Sequence, residues 1–236
     1  MTSTSAKTVA VLQPGYLPWI GFFDQMRRAD VFVYYDDVQF DKHGWRNRNR
    51  IKGPSGPEWL TVPVLHHGKP RILDVAIDGR APWARRHIGT IRQYYASAPF
   101  LQRYLGDLET LLMRGWKRLV DLDLAVADQM MEWLEIRTQV ERSSCLGIEG
   151  ERSERLLRIC QRFEATRYLS GNAAKTYLDV ALFERNGIEV AWQDFHHPSY
   201  PQMHGDFFPY LSAIDLLLNC GERSPAILRG EEDRPT

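Results

Sequence analysis

Two polar clusters stand where apolar, β-forming runs stop. Thr8–Leu12 (TVAVL) gives way to Gln13-Pro14-Gly15-Tyr16-Leu17-Pro18-Trp19, and Val31–Tyr35 (VFVYY) gives way to Asp36-Asp37-Val38-Gln39. Paired carboxylates can orient an amine, hold Mg²⁺ beside substrate phosphates or pair with arginines. Neighbouring strand residues point to opposite faces, so one of the two is expected to face a site unless the backbone has already turned. Asp37 is the first catalytic candidate and Asp36 the second. The run Arg46-Asn47-Arg48-Asn49-Arg50 follows closely. In an extended chain it gathers three guanidiniums on one side, the geometry of a bidentate site for phosphate or carboxylate. A solvated face is the commoner use of a charge run; the regular asparagines favour binding. The same arginines are expected to keep Asp37 ionised.

Three further groups carry chemistry-bearing residues. Ser170-Gly171-Asn172, with Lys175 in the next turn, sits between a strand and a helix, where free N–H groups suit an anion. The GxxxxGK spacing of a P-loop is missing, and the other reading is a helix cap with an exposed lysine. His196-His197-Pro198 leads to Tyr200, Gln202 and His204. Adjacent histidines rarely point the same way and no ligand spacing completes a zinc site, so no metal is expected. His197 suits a general base near neutral pH, or is a turn histidine. His66-His67 belong to a pocket or a loop. There is no GxSxG, no GxGxxG and no Cys–His pair, and no residue set names a cofactor.

The elements that must position these residues follow from periodicity. Trp19, Ile20, Phe22, Phe23 and Met26 form a helical stripe over Trp19–Arg28 between the two apolar runs, which makes a βαβ unit with parallel strands. Ligands of open parallel sheets lie beyond the carboxyl ends of the strands. Gln13, Tyr16, Asp36, Asp37, Ser170, Lys175 and His197 are therefore expected to line one cavity. Trp19, Gln39, Arg46, Asn47, Arg48, Arg50, Asn172, Tyr200 and Gln202 complete the expected substrate contacts. Further on, Gly53–Pro57 reads as a hairpin turn, Trp59–Val64 and Arg71–Ile77 as strands, and 82–136 as a helical insert divided near Gly115. Strands are expected at Thr138–Ser143, Arg167–Ser170 and Ile188–Phe195, and helices at Glu151–Glu164, Ala174–Arg185 and Phe208–Leu218, before a frayed tail from Glu222. The expectation is one α/β domain over 1–236, three-layered and Rossmann-like, with a mostly parallel central sheet and a helical subdomain at about 82–136.

The pattern QPxYLPWxGxFDxxxxADxFVxxDDVQF, followed by WxNRNxI and WLTVPV, resembles the WbqC-like family. The likeness continues through YLSGxxAKxYLD at Tyr168–Asp179 and through HPxYxQ and FxPxLSxIDLLLNxG at His197–Gly221. Gly15 departs from it, since the family tends to carry Asn or Thr there. The resemblance implies a setting among genes for surface polysaccharides and specialised metabolites. The opening order of elements is also distantly similar to nucleotidyltransferase and pantothenate-synthetase domains, but their HxGH signature is replaced by GYLPWIG.

Composition excludes several classes. Thirty basic and thirty acidic residues cancel, so no global field draws the 236-residue chain to nucleic acid or an anionic membrane. No apolar run approaches the roughly 20 residues of a membrane span, and MTSTSAKT lacks the apolar core of a secretory signal. The scattered Cys145, Cys160 and Cys220 read as reduced cytoplasmic thiols. The expected partner is a small phosphorylated or carboxylated molecule. The expected activity is a transferase or ligase joining an acyl or aminoacyl group to an amine of a sugar or metabolite. A protein that binds a nucleotide-sugar without turning it over is the alternative. Nothing in the sequence indicates an oligomeric state.

Overall fold

The computed structural model describes residues 6–65 and 68–231; His66-His67 lie outside the described residues. In chain order the elements are β1 (Thr8–Leu12), α1 (Ile20–Arg27), β2 (Val31–Tyr34), β3 (Arg48–Gly53), β4 (Gly56–Thr61), β5 (Val64–Leu65), β6 (Ala76–Ile77), α2 (Trp83–Tyr94), α3 (Leu101–Leu112) and α4 (Leu119–Trp133). They continue with β7 (Gln139–Arg142), α5 (Arg152–Arg162), β8 (Arg167–Ser170), α6 (Val180–Arg185), β9 (Glu189–Trp192), α7 (Ala213–Cys220) and α8 (Ser224–Arg229). The chain divides into two compact units. The first holds the chain up to Gln13, Asp24–Asp37 and Arg137–His196; the second holds Pro14–Phe23, Val38–Ile136 and everything from His197 on.

The first unit is an α/β layer structure on a five-stranded sheet in the order β7-β2-β1-β8-β9, parallel throughout. Every residue of β2 is at most 1% exposed, as a strand covered on both faces must be. Alternation turns Val9, Val11, Val31 and Val33 to one face, where they meet Leu157, Ile159 and Cys160 of α5 and Phe183 of α6. Tyr168 of β8 stacks on Phe183 at 5.1 Å between ring centroids. Fully burying a side chain of this size stabilises by about 1.5–3 kcal/mol. Gln25 of α1 reaches the end of the sheet, where its Nε2 donates to the Leu169 carbonyl at 3.0 Å. The central strand is β1, and the winding reverses between β1 and β8. Gln13 and Ser170 leave the carboxyl ends of those two strands, beside the place where such sheets open a crevice.

The second unit carries the β3–β4 hairpin, the two-residue pair β5–β6 and helices α2, α3, α4, α7 and α8. The arginine run enters β3 at Arg48, so its second half is extended. Gly115, at φ 74°, separates α3 from α4 as anticipated. Several boundaries differ from expectation. Arg71–Ile77 is a 3₁₀ turn over Ile72–Asp74 with strand only at Ala76–Ile77. In the first unit, Ala174–Arg185 is a 3₁₀ turn over Asn172–Thr176 and then α6, whose N-cap Asp179 accepts from the Leu182 N–H. The helix expected from Phe208 begins at Ala213, because Pro209 and Tyr210 at φ 60° precede the cap Ser212. The tail is not frayed at Glu222: Ser224–Arg229 is helical and buries Ile227 and Leu228.

One polar group lies at the heart of this unit. Asp215 of α7 is fully buried and accepts hydrogen bonds from the hydroxyls of Tyr95 (2.6 Å) and Tyr200 (2.9 Å) and from Gln202 Nε2 (2.8 Å). Burial still pushes its carboxyl up, against the pull of those donors.

Candidate functional site

The carboxyl edge of the parallel sheet in the first unit holds the aspartate pair. Asp36 is wholly buried and accepts from Arg142 Nε (2.8 Å), the Ser144 N–H (3.0 Å) and Ser144 Oγ (2.8 Å), while its own N–H donates to Ser143 Oγ at 3.2 Å. A carboxylate so fully used anchors the turn after β7 to the end of β2. Asp37 accepts from Ser143 Oγ at 2.6 Å and pairs with the Arg155 guanidinium. The two aspartates thus converge on one serine. β2 ends at Tyr34, so the backbone has turned before it reaches them, and the strict alternation of a strand no longer holds.

The electrostatics of Asp37 follow from these contacts. Partial burial pushes its carboxyl up, but the hydrogen bonds from Arg155 and Ser143 and the charge of Arg155 outweigh it and hold it below the ordinary carboxylate value. The arginine responsible is Arg155 of α5, not a member of the 46–50 run. Arg155 is itself braced: Nε donates to the Ile148 carbonyl at 2.9 Å and the guanidinium lies 5.0 Å from the Tyr35 ring centroid. Asp37, Ser143, Ser144, Ile148, Glu149 and Arg155, with Gly147 and Gly150, line an open pocket of about 390 Å³. The lining includes two acidic residues, Asp37 and Glu149, and one basic residue, Arg155.

The other candidates of this unit lie along the same sheet edge in different settings. Gln13 is half-buried. Ser170 is buried, and its carbonyl accepts from the Gln193 N–H at 2.8 Å. Lys175 pairs with Asp194 at 3.1 Å and lies 5.5 Å from the Trp192 centroid. Lys175 and then Asn172 lower the Asp194 carboxyl by hydrogen bonding, so the lysine charge is already answered within the chain.

The second unit holds the rest. Tyr16 is buried in a polar knot: its hydroxyl donates to His87 Nδ1 at 2.9 Å, and its N–H donates to the Arg46 carbonyl at 2.9 Å. The close approach of these backbones explains Gly15, where a Cβ would stand 2.7 Å from the Trp45 carbonyl oxygen. Arg46 Nη1 donates to the Pro14 carbonyl at 3.0 Å. Asn47 and Asn49 point inward and donate to the carbonyls of Val62 (2.8 Å) and Leu17 (2.7 Å). Arg48 and Arg50 take the outer face of β3. Trp19 packs on Tyr210 at 5.6 Å, and Gln39 is exposed beside a shallow pocket that includes Lys42 and Lys69. Tyr200 and Gln202 clamp Asp215, as described. His197 Nδ1 donates to the Pro198 carbonyl at 2.8 Å, and burial among Tyr200, Phe207 and Tyr210 pushes its pKa down.

The long motifs that supply both clusters are those of one family. A model of the WbqC-like protein family matches residues 13–227. The chain belongs to the WbqC-like protein family. The uncharacterized protein Rv1507c of Mycobacterium tuberculosis is 36% identical to it over 227 residues, covering 94% of this chain and 98% of the relative. No solved structure matches the chain.

In this WbqC-like chain four groups of evident chemical weight escaped the sequence reading. Ser143, Ser144 and Arg155 were hidden by ordinary composition, although the end of β7 was legible and lies beside the end of β2. Asp123 was hidden inside the apolar stripe of α4. It is fully buried, neither carboxylate oxygen has a hydrogen-bond partner, and burial pushes its carboxyl far up against the pull of Arg46.

Proposed function

We propose that this chain is an enzyme that joins an acyl or aminoacyl group to an amine of a sugar or small metabolite, with the amine docking beside Asp37. The observation that carries this reading is the ionised Asp37 carboxylate in an open pocket where acidic groups outnumber basic ones. The biosynthetic setting implied by the family is consistent with it. Asp37 holds the ammonium of the substrate by charge and orients it; once the nitrogen has lost a proton to solvent it attacks the acyl carbon of a thioester or acyl adenylate, and the thiol or AMP departs. With its carboxyl held below the ordinary value, Asp37 is a weak base, so its work is positioning more than proton abstraction. The hydroxyl of Ser144, on the exposed side of the same turn, offers the substrate a second polar contact.

A second reading, binding without turnover, draws on one observation: both Asp37 oxygens already have partners, Ser143 and Arg155. Mass spectrometry of molecules co-purifying with the protein separates the two, because an acyl thioester or acyl adenylate identifies a group donor. Thermal-shift screening with amino sugars against their hydroxyl analogues tests the amine preference. Asp37→Asn keeps the shape and removes the charge. It is expected to abolish the shift given by the amino sugar while leaving the melting temperature of the free protein within a few degrees. Equal shifts in wild type and variant remove Asp37 from the reading.

A further inference from the structure

The outer face of the β3–β4 hairpin carries a second arrangement that the Asp37 pocket does not use. Register places Arg50 opposite Trp59 and Arg48 opposite Thr61, on one face. Trp45, from the turn before β3, comes to within 5.1 Å of Trp59 between ring centroids, with 36° between the planes. The two indoles are 43% and 45% exposed, large apolar surfaces that a folded chain normally covers.

The two arginines of this face differ in what they have left to offer. Arg48 lies 4.4 Å from the Trp59 centroid, and its Nη2 and Nε donate to the carbonyls of His43 (2.6 Å) and Gly44 (3.3 Å). Two of its five N–H donors are used on the turn. Arg50 lies between three rings, 5.3 Å from Trp45, 5.6 Å from Trp59 and 5.5 Å from Phe208. Its guanidinium has no carboxylate and no hydrogen-bond partner among the described residues, and its Nε is buried without one. Aromatic rings hold the guanidinium in place and leave it without an anion, although arginine is suited to bidentate contact with phosphate. Beside it, the exposed Trp45 ring can take a further planar ring in stacking.

We propose that Trp45 and Arg50 form a nucleotide subsite, with the base stacked on Trp45 and a phosphate on the Arg50 guanidinium. A base answers the exposed indole and a phosphate answers the unpaired cation, so a nucleoside phosphate satisfies both. A long nucleic acid is disfavoured, because acidic and basic residues number thirty each. The subsite does not rest on the amine reading of the Asp37 pocket.

The test is calorimetric titration of the full chain with adenosine 5′-monophosphate, adenosine and inorganic phosphate. The nucleotide is expected to bind at least about tenfold more tightly than either fragment, a difference of about 1.4 kcal/mol. Arg50→Ala and Trp45→Ala are each expected to weaken the nucleotide about tenfold or more. Arg50→Lys keeps a charge without the planar fork and is expected to fall between. Trp45 is exposed and Arg50 half-buried among the rings, so unchanged circular dichroism and melting temperature are required to confirm that each variant folds. The control Tyr177→Ala, at an exposed ring away from the hairpin, is expected to bind the nucleotide as the wild type does. Absence of nucleotide binding at millimolar concentration, or equal binding by wild type, Arg50→Ala and Trp45→Ala, overturns the subsite. Tight, salt-dependent binding of a short oligothymidylate without binding of the mononucleotide overturns it in favour of a nucleic-acid surface.

Discussion

At the scale of single residues, two of the buried titratable groups of the second unit make opposite demands. His87 accepts from the Tyr16 hydroxyl at Nδ1, and burial, reinforced by the charge of Arg86, lowers its pKa from 6.5 to about 4 despite a contact with the Thr61 backbone. The folded chain therefore keeps His87 neutral, while the unfolded chain protonates it below its ordinary value. Its contribution to stability is complete above pH 6.5 and is lost as the pH falls towards 4, by about 3 kcal/mol in all. Asp123 runs the other way: its raised carboxyl favours folding at low pH and opposes it as the pH rises. His87→Gln, which can keep both hydrogen bonds, is expected to remove most of the acid loss in urea unfolding between pH 7 and 4. Asp123→Asn removes the opposing trend, so it is expected to steepen that loss and to raise stability at neutral pH. An acid limb that persists unchanged in His87→Gln assigns the pH dependence to other groups.

At the scale of elements, what was legible were the strands and helices whose pattern is long and local. Thr8–Leu12, Val31–Tyr34 and Arg167–Ser170 are strands on their apolar runs alone, and the three of them set the parallel sheet. The places where the reading slipped share a cause in backbone geometry that side-chain periodicity does not report. α7 starts at Ala213 rather than Phe208 because of the turn at Pro209-Tyr210, and Asn172–Thr176 tightens into a 3₁₀ turn before Asp179 opens α6. The sheet edge that holds Asp37 was legible, since Gln13, Asp36, Asp37 and Ser170 all follow strand ends. Its partners were not, because Ser143 and Arg155 are joined to Asp37 only by tertiary pairing. The end of α7 offers a test of how strictly geometry fixes an element. Gly221 has φ 56°, and a Cβ there would lie 2.3 Å from the Phe100 ring, whereas Gly230 has φ 68° with open space around it. Gly230→Ala is expected to cost about 1 kcal/mol, from the backbone alone. Gly221→Ala is expected to cost a further 1–3 kcal/mol or so by overpacking. Equal midpoints in chemical denaturation remove the steric part of the argument.

At the scale of the whole molecule, the two compact units are interleaved along the chain, which passes between them five times, after Gln13, Phe23, Asp37, Ile136 and His196. Neither unit is a continuous segment that can be cut out. The fragment 137–196 contains β7, β8 and β9 but lacks β1 and β2, the strands to which β7 and β8 are paired. It is expected to show no cooperative unfolding by circular dichroism, and a cooperative transition in the isolated fragment refutes the pairing as the basis of its order. The same interleaving governs how the chain is made. On the ribosome, β1 and β2 emerge early, while the segment that binds Lys7 through Thr166 lies 159 residues further on. Through most of translation, two of the most apolar strands wait with both outer edges unpaired, the condition in which strands seek one another in neighbouring chains. Yield from a cell should therefore depend on how well nascent chains are shielded, and slow synthesis of the middle of the message should harm it more than slow synthesis of the end.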